Sequence, residues 1–220
     1  IAYYVIKKEI DLIHAHRTIP AGYHAALIGR LFKIPLVITA HGDDILTVPE
    51  IKYGINLNKK SKKQSLYALR NADAVIALNE GMKDEMLKLG TNSEKIYTIP
   101  IGINLSSLKN NKKPAQKRNR GKNLVAVGRN HPVKGYENLI KAIAIVVKNN
   151  SDVQCTIIGK GTFKLNNLVS ELGLQDNINL INQVDNFIER GMPLKLKKFF
   201  NASDVYISSS LSESFSLSIL

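Results

Sequence analysis

The sequence predicts an α/β protein of two lobes, each a parallel sheet covered by helices on both faces, with the two sheets facing a central cleft. Three observations predict it. Short apolar runs of strand length alternate with segments whose apolar residues recur at helical spacing; a polar, basic stretch divides this alternation into halves; and polar or Gly-rich loops follow four of the strand-like runs. Continuously apolar strands separated by helices imply parallel pairing buried on both sides.

Taken in order, residues 1–107 form the first lobe, with strands at 12–15, 36–40, 74–78 and 96–99. Helical spacing occupies 21–32, 62–71 and 81–89 between them. Residues 108–121 read as a basic linker, because this region is nearly free of large apolar residues and carries Pro114 in its middle. The second lobe, 122–220, repeats the rhythm: strands at 124–127, 153–158, 178–181 and 205–207 alternate with helices at 136–147, 163–172 and 194–201. Two Rossmann-like lobes result, and open sheets of this kind bind ligands beyond the carboxyl ends of their strands.

Composition narrows the function classes. A chain of 220 residues that is 44% hydrophobic can bury a core in each lobe. No apolar run reaches the roughly 18 residues needed to span a bilayer. The single Cys155 lies within an apolar run, which excludes an internal disulfide and reads as core packing in a reducing, cytoplasmic setting. The net charge of +13 concentrates in Lys59-Lys60-Ser61-Lys62-Lys63 and in 112–122, both read as solvated loops. With no zinc spacing, aromatic-interleaved patch or recognised motif beside this charge, nucleic acid is set aside as a partner. Peripheral contact with an anionic membrane surface, at its inner face, is retained. Residues 50–63 are expected to be mobile and basic. The first residue, Ile1, is not Met, 1–8 lack the order of a signal peptide, and 214–220 stop inside an apolar-rich run, so the chain is expected to be a fragment.

The candidate chemistry lies where strands empty into loops. Strand 124–127 delivers Gly128-Arg129-Asn130-His131-Pro132-Val133-Lys134-Gly135. An Arg that grips phosphate oxygens through parallel hydrogen bonds, a compact Lys charge five residues on, and a following helix make a pocket for a doubly charged phosphate group. Strand 153–158 leads to Gly159-Lys160-Gly161, strand 36–40 to His41-Gly42-Asp43-Asp44, and strand 205–207 to 208–213, which ends in Glu213. Each loop alone is also what an ordinary turn looks like; their shared placement carries the reading. His14 and His16 alternate on one strand face, and without a third ligand at recognisable spacing they read as packing and cleft lining. After 153–158 the glycines are Gly159 and Gly161, followed by Lys164, so the full G-x-G-x-x-G of a dinucleotide dehydrogenase is missing.

In order, these segments resemble the retaining glycosyltransferases of the GT-B fold that use nucleotide-diphospho sugars, the family-four-like glycosyl transferases group 1. The likeness rests on Asp11-Leu12-Ile13-His14-Ala15-His16, on Ile34-Pro35 through His41-Gly42-Asp43-Asp44, on Ala72-Asp73-Ala74 and on Ile99-Pro100-Ile101-Gly102-Ile103-Asn104. It continues at Gly128-Arg129 with Lys134-Gly135, at Gly159-Lys160-Gly161, and at Ala202-Ser203-Asp204-Val205-Tyr206 leading to Glu213-Ser214-Phe215. The resemblance implies a GT-B-like fold with both lobes incomplete: an opening strand with its Gly-rich loop would precede Ile1, and a second, ribose-binding Glu would follow Leu220.

It also implies roles. Arg129 and Lys134 would stabilise charge growing on the leaving phosphate, with Gly128, Gly159 and Gly161 bordering the nucleotide sugar. Glu213 would meet the sugar, and His41, Gly42 and Asp43 would line the sugar site, Gly42 permitting close backbone approach. The catalytic set is Arg129, Lys134, Glu213 and His41, with no metal and no cofactor, and the acceptor a glycan, a glycolipid or another hydroxyl compound. Ser208-Ser209-Ser210 lacks the family's Pro, and Ser216 replaces a Gly common after the Phe. A noncatalytic nucleotide-sugar or phosphate-binding protein on the same fold stays open as the alternative.

Overall fold

The computed structural model describes residues 2–7, 9–102, 122–182, 188–189 and 192–216. The expected linker, 108–121, lies outside the described residues. The chain divides into two compact units, Ile1–Gly102 with Ser212–Leu217, and Ile103–Leu211 with Ser218–Leu220.

The first unit begins with the short helix α1 (Ala2–Ile6) and is built on four parallel strands, β1 (Ile13–His16), β2 (Leu36–Thr39), β3 (Ala74–Ala77) and β4 (Ile96–Thr98), in the order β1-β2-β3-β4. Helices α2 (Tyr23–Phe32), α3 (Lys59–Asn71) and α4 (Glu80–Lys88) fall between them. The pleat sorts β1: Ile13 and Ala15 are buried, and His14 and His16 point to the exposed side. Small residues let the helices close on the sheet: Ala25, Ala26 and Gly29 from α2 and Ser65, Ala68 and Leu69 from α3 are buried.

The second unit has the sheet order β10-β5-β6-β7, again parallel throughout, from β5 (Asn123–Val127), β6 (Gln154–Ile158), β7 (Ile178–Ile181) and β10 (Val205–Tyr206). Helices α5 (Tyr136–Val147), α6 (Asn166–Glu171) and α7 (Leu194–Ala202) accompany it, with the antiparallel pair β8 (Ile188–Glu189) and β9 (Met192–Pro193) before α7. Helix α5 buries Tyr136, Leu139, Ile140 and Ile143, one face at helical spacing. Each fully buried Leu or Ile there stabilises by about 1.5–3 kcal/mol.

One device starts a strand in both units. In the first, the Leu36 amide donates to Asp73 Oδ2 at 2.8 Å while the Asp73 amide donates to the Leu36 carbonyl at 2.9 Å. In the second, the Asn123 amide donates to Asp204 Oδ2 at 3.0 Å and the Asp204 amide to the Asn123 carbonyl at 2.8 Å. An Asp before the strand thus sets register against its neighbour by pairing with both backbone groups of one residue. This is the physical content of the Ala-Asp-Ala and Ser-Asp-Val segments.

The structure departs from the sequence reading in several places, among them these. Helix α3 begins at Lys59, because the Asn58 side chain caps it by accepting from the amides of Lys60 and Ser61 at 3.0 and 3.1 Å. The lysine run is therefore an exposed first turn of a helix and no loop. The region expected to be mobile has fixed structure: 3-10 turns at Pro49–Ile51 and Ile55–Leu57, a Val48–Tyr53 bridge, and a buried Asn56 donating to the Asp44 carbonyl at 3.0 Å. The expected helix 163–172 splits into a 3-10 turn, Thr162–Leu165, and the short α6.

Candidate functional site

In the second unit the strand order reverses at β5: the chain passes to β6 and β7 on one side and returns to β10 on the other. Loops at such a reversal splay apart and leave a crevice at the carboxyl ends of the strands. The loop after β5 starts at Gly128, and the loop after β10 contains Ser209. They are tied together: Ser209 Oγ donates to the Lys134 carbonyl at 2.8 Å, and the Leu211 amide donates to the Val133 carbonyl at 2.8 Å.

The loop after β6 braces the same spot. The Gly128 amide donates to the Ile158 carbonyl and the Asn130 amide to the Lys160 carbonyl, each at 2.8 Å, and Asn130 Nδ2 donates to the Gly161 carbonyl at 3.2 Å. Gly159 passes so close to this loop that a Cβ built on it would overlap the Gly128 carbonyl. Any side chain there displaces the backbone that carries Arg129. Tyr136 Oη donates to the Gly128 carbonyl at 3.1 Å from the first residue of α5. His131 caps the 3-10 turn Pro132–Lys134, its Nδ1 accepting from the Val133 amide at 3.2 Å. Within this rigid loop cluster Arg129 is exposed and Lys134 half-buried. Gly128, Arg129, Lys134, Gly159 and Gly161 are thus gathered around one strand end.

In the first unit the loop after β2 is built around Asp44, which is 0% exposed. Its Oδ1 accepts from the amides of His41 and Gly42 at 2.9 and 3.0 Å, and its Oδ2 accepts from the Thr18 amide, after β1, at 2.8 Å. Asp43 turns the other way and forms an ion pair with Arg17 at 2.8 Å. The two adjacent carboxylates have different work: Asp44 organises the loop from inside, and Asp43 engages a cation on its surface. Sequence reasoning singled out Asp43 and passed over Asp44 and Arg17.

His41 sits half-buried at this loop, and its Nε2 lies 2.9 Å from His16 Nδ1. Removal of the ring from water pulls its pKa below the ordinary histidine value; His16 and Arg17 act in the same direction, against Asp44 and Asp43. The His41 carbonyl accepts from Ser214 Oγ at 2.8 Å, and Asn79 Nδ2 donates to the Ser214 carbonyl. Gly42 makes room for this contact, since a Cβ on it would stand 2.9 Å from Ser214 Oγ. Glu213 is next to that anchor and half-buried. His41, Gly42 and Asp43 are therefore one local structure, with Glu213 at the residue preceding its Ser214 tether. Asn79 had no signal in sequence beyond its position ahead of a helix, which it also caps at the Met82 amide.

A family model for glycosyl transferases group 1 matches residues 108–220, and one for Glycosyltransferase Family 4 matches residues 2–107. The chain belongs to the group 1 glycosyltransferases. Among its relatives, a D-inositol 3-phosphate glycosyltransferase of Corynebacterium glutamicum is 26% identical over 96% of this chain and 53% of its own length. An alpha-monoglucosyldiacylglycerol synthase of Streptococcus pneumoniae is 26% identical over 96% of this chain and 49% of its own. The chain thus spans about half the length of these curated relatives. The crystal structure of Anabaena Alr3699/HepE in complex with UDP superposes with a TM-score of 0.77 over 99% of this chain and 59% of that one, at 20% identity. The fold is that of the GT-B glycosyltransferases, with two parallel-sheet α/β lobes. Among the described residues, no helix of the group 1 chain is long and apolar enough to cross a membrane.

Proposed function

We propose that this chain belongs to an enzyme that transfers a sugar from a nucleotide-diphospho-sugar donor to a hydroxyl of a glycan, glycolipid or related acceptor, with retention of anomeric configuration. The observation that carries the proposal is the locked loop at the strand-order reversal of the second unit, where Gly159 presses on the Gly128 carbonyl and Arg129 emerges exposed beside Lys134. The names of the relatives and the UDP held by the structural neighbour support it.

The chemistry follows from charge. As the glycosyl–phosphate bond breaks, negative charge collects on the leaving diphosphate, and fixed cations beside it lower the barrier. Arg129 supplies a planar fork of donors for two phosphate oxygens, and Lys134 a second, compact charge. These two residues do what a divalent cation does in other transferases, so no metal is assigned. Gly128, Gly159 and Gly161 let the backbone approach the donor. His41, Gly42 and Asp43 line the sugar site, and Glu213 positions sugar hydroxyls. No protein nucleophile is required, because a paired carboxylate arrangement is not part of the assignment.

The amino end of α3 carries positive charge. Exposed Lys59, Lys60, Lys62 and Lys63 crowd the amino end of α3, where the helix dipole already contributes positive potential. This turn suits an anionic acceptor or an anionic membrane surface, consistent with a cytoplasmic protein held peripherally at the inner face.

Calorimetric titration of the chain with UDP, GDP and ADP, with and without Arg129→Ala, tests the donor site. Binding of one nucleotide that weakens in the variant supports the assignment and identifies the base. A folded chain whose nucleotide affinity is indifferent to Arg129→Ala refutes it.

A further inference from the structure

The three histidines at the carboxyl ends of β1 and β2 form one contiguous group. His14 stacks on His16 with ring centroids 4.7 Å apart, and His16 meets His41 with centroids 5.1 Å apart. Two hydrogen bonds fix defined ring nitrogens. His14 Nε2 is 2.8 Å from Thr39 Oγ1, and His16 Nδ1 is 2.9 Å from His41 Nε2. The arrangement follows from the pairing of the strands: His16 is in register with Thr39, two residues before His41, so the end of β1 must face the start of the His41 loop.

His41 is fixed at its backbone from both sides, by its amide to Asp44 and by its carbonyl from Ser214. Backbone anchoring leaves the imidazole free to rotate about its side-chain bonds. The bond to His16 removes that freedom. It also divides the nitrogens of the ring into one that is committed, Nε2, and one that has no hydrogen-bond partner among the described residues, Nδ1.

We propose that His16 is the positioning residue of His41: the bond between the two imidazoles sets the plane and the tautomer of the His41 ring and makes Nδ1 the nitrogen it presents to a ligand hydroxyl. The proposal rests on the reading that His41 lines the sugar site, and it adds to that reading a residue and a ring atom. A single proton lies between His16 Nδ1 and His41 Nε2, so the donor role of one ring dictates the acceptor role of the other. The pair can take up one further proton on an outer nitrogen and keep the bond; a second added proton puts N–H against N–H and breaks it.

The surroundings favour the neutral form of His41. The groups facing it are His16, Arg17, Asp43 and Asp44 from the loops after β1 and β2, with His14 behind His16, Tyr53 near Gly42, and Glu213 beside the Ser214 tether. Burial of the ring outweighs the attraction of Asp44 and Asp43 and lowers its pKa, with His16 and Arg17 adding to the effect. A neutral ring held in one tautomer is suited to a sugar hydroxyl, which both donates and accepts, more than to a phosphate or carboxylate, which a charged ring would favour.

The test is nitrogen-15 NMR of the imidazoles across a pH titration of the whole chain without nucleotide, in the unsubstituted protein and in His16→Ala and His16→Asn. In the unsubstituted protein His16 and His41 should show complementary tautomers, with His41 titrating below the ordinary histidine range. In His16→Ala, His41 should titrate at higher pH with tautomers averaged, and His16→Asn, which keeps a polar partner at the same reach, should restore a single His41 tautomer. A tautomer and titration curve of His41 unchanged in His16→Ala, with the backbone amide spectrum showing the variant folded, overturn the proposal. The nucleotide titration with Arg129→Ala reads the second unit alone, so failure of the donor assignment and failure of this one are separate results.

Discussion

Replacing Asp44 by Asn removes one carboxylate oxygen and puts an NH2 in its place, with almost no change in volume. In the native loop Oδ1 serves the amides of His41 and Gly42 and Oδ2 serves the amide of Thr18, all within 3.0 Å and with the side chain fully shielded from water. The Asn oxygen can keep two of these donors. The third, the Thr18 amide, then faces another N–H. The loss is one hydrogen bond to a charged group, worth about 1.5–3 kcal/mol, and a buried donor left unsatisfied adds about 1–3 kcal/mol. A destabilisation of about 2.5–6 kcal/mol is therefore expected, a large share of the roughly 5–15 kcal/mol that holds a typical domain together. Urea denaturation followed by circular dichroism should show a lower midpoint at unchanged slope, and Ser65→Ala, which removes only a hydroxyl bonded to Thr18 Oγ1 at 2.8 Å, should cost less. A cost below about 1 kcal/mol for Asp44→Asn would refute the argument that this carboxylate holds the loops after β1 and β2 together.

Four further outcomes are expected. Gly159→Ala should cost about 1–3 kcal/mol through overpacking against the Gly128 carbonyl and should weaken nucleotide binding, since relief comes only by moving the Arg129 loop; calorimetry and thermal melts check both. Cys155 is 1% exposed and burial pushes its thiol up to about 12, so an aromatic disulfide reagent should leave it unmodified at neutral pH until the chain unfolds. Because the folded-state value lies above that of an unfolded cysteine, the contribution is present below about pH 8.5 and is lost as pH rises toward 12; denaturation midpoints for the parent and Cys155→Ala should converge or cross over that window. Sedimentation with vesicles of anionic lipid should show binding that falls with added salt and with Lys59→Gln, Lys60→Gln, Lys62→Gln and Lys63→Gln combined; salt-indifferent binding would count against the α3 turn as an electrostatic contact.

Much of the architecture was legible because it is written in local pattern. The strands 36–40, 74–78 and 124–127 appear within one residue of their observed limits, since a continuous apolar run between turn residues has few other uses. Helix α5 matches over Tyr136–Val147 because its buried positions repeat at helical spacing. Helix α3 begins three residues ahead of the helical spacing for the converse reason. Its first turn consists of outward lysines with no apolar signal, and what starts the helix is a hydrogen bond from Asn58.

The candidate site was legible as a set of loops and not as an arrangement. By itself the sequence determined that polar and glycine-rich segments follow apolar strands, that the chain is two α/β lobes, and that Arg129 and Lys134 share one loop, because these properties belong to residues near one another along the chain. Tertiary structure alone decided that Gly159 confines Gly128, that His16 takes hold of His41, and that of two adjacent aspartates one is buried and one paired with Arg17. Parallel strand pairing brings together loops that are distant in sequence, and the side chains that meet there are selected by register and distance, which no local pattern records.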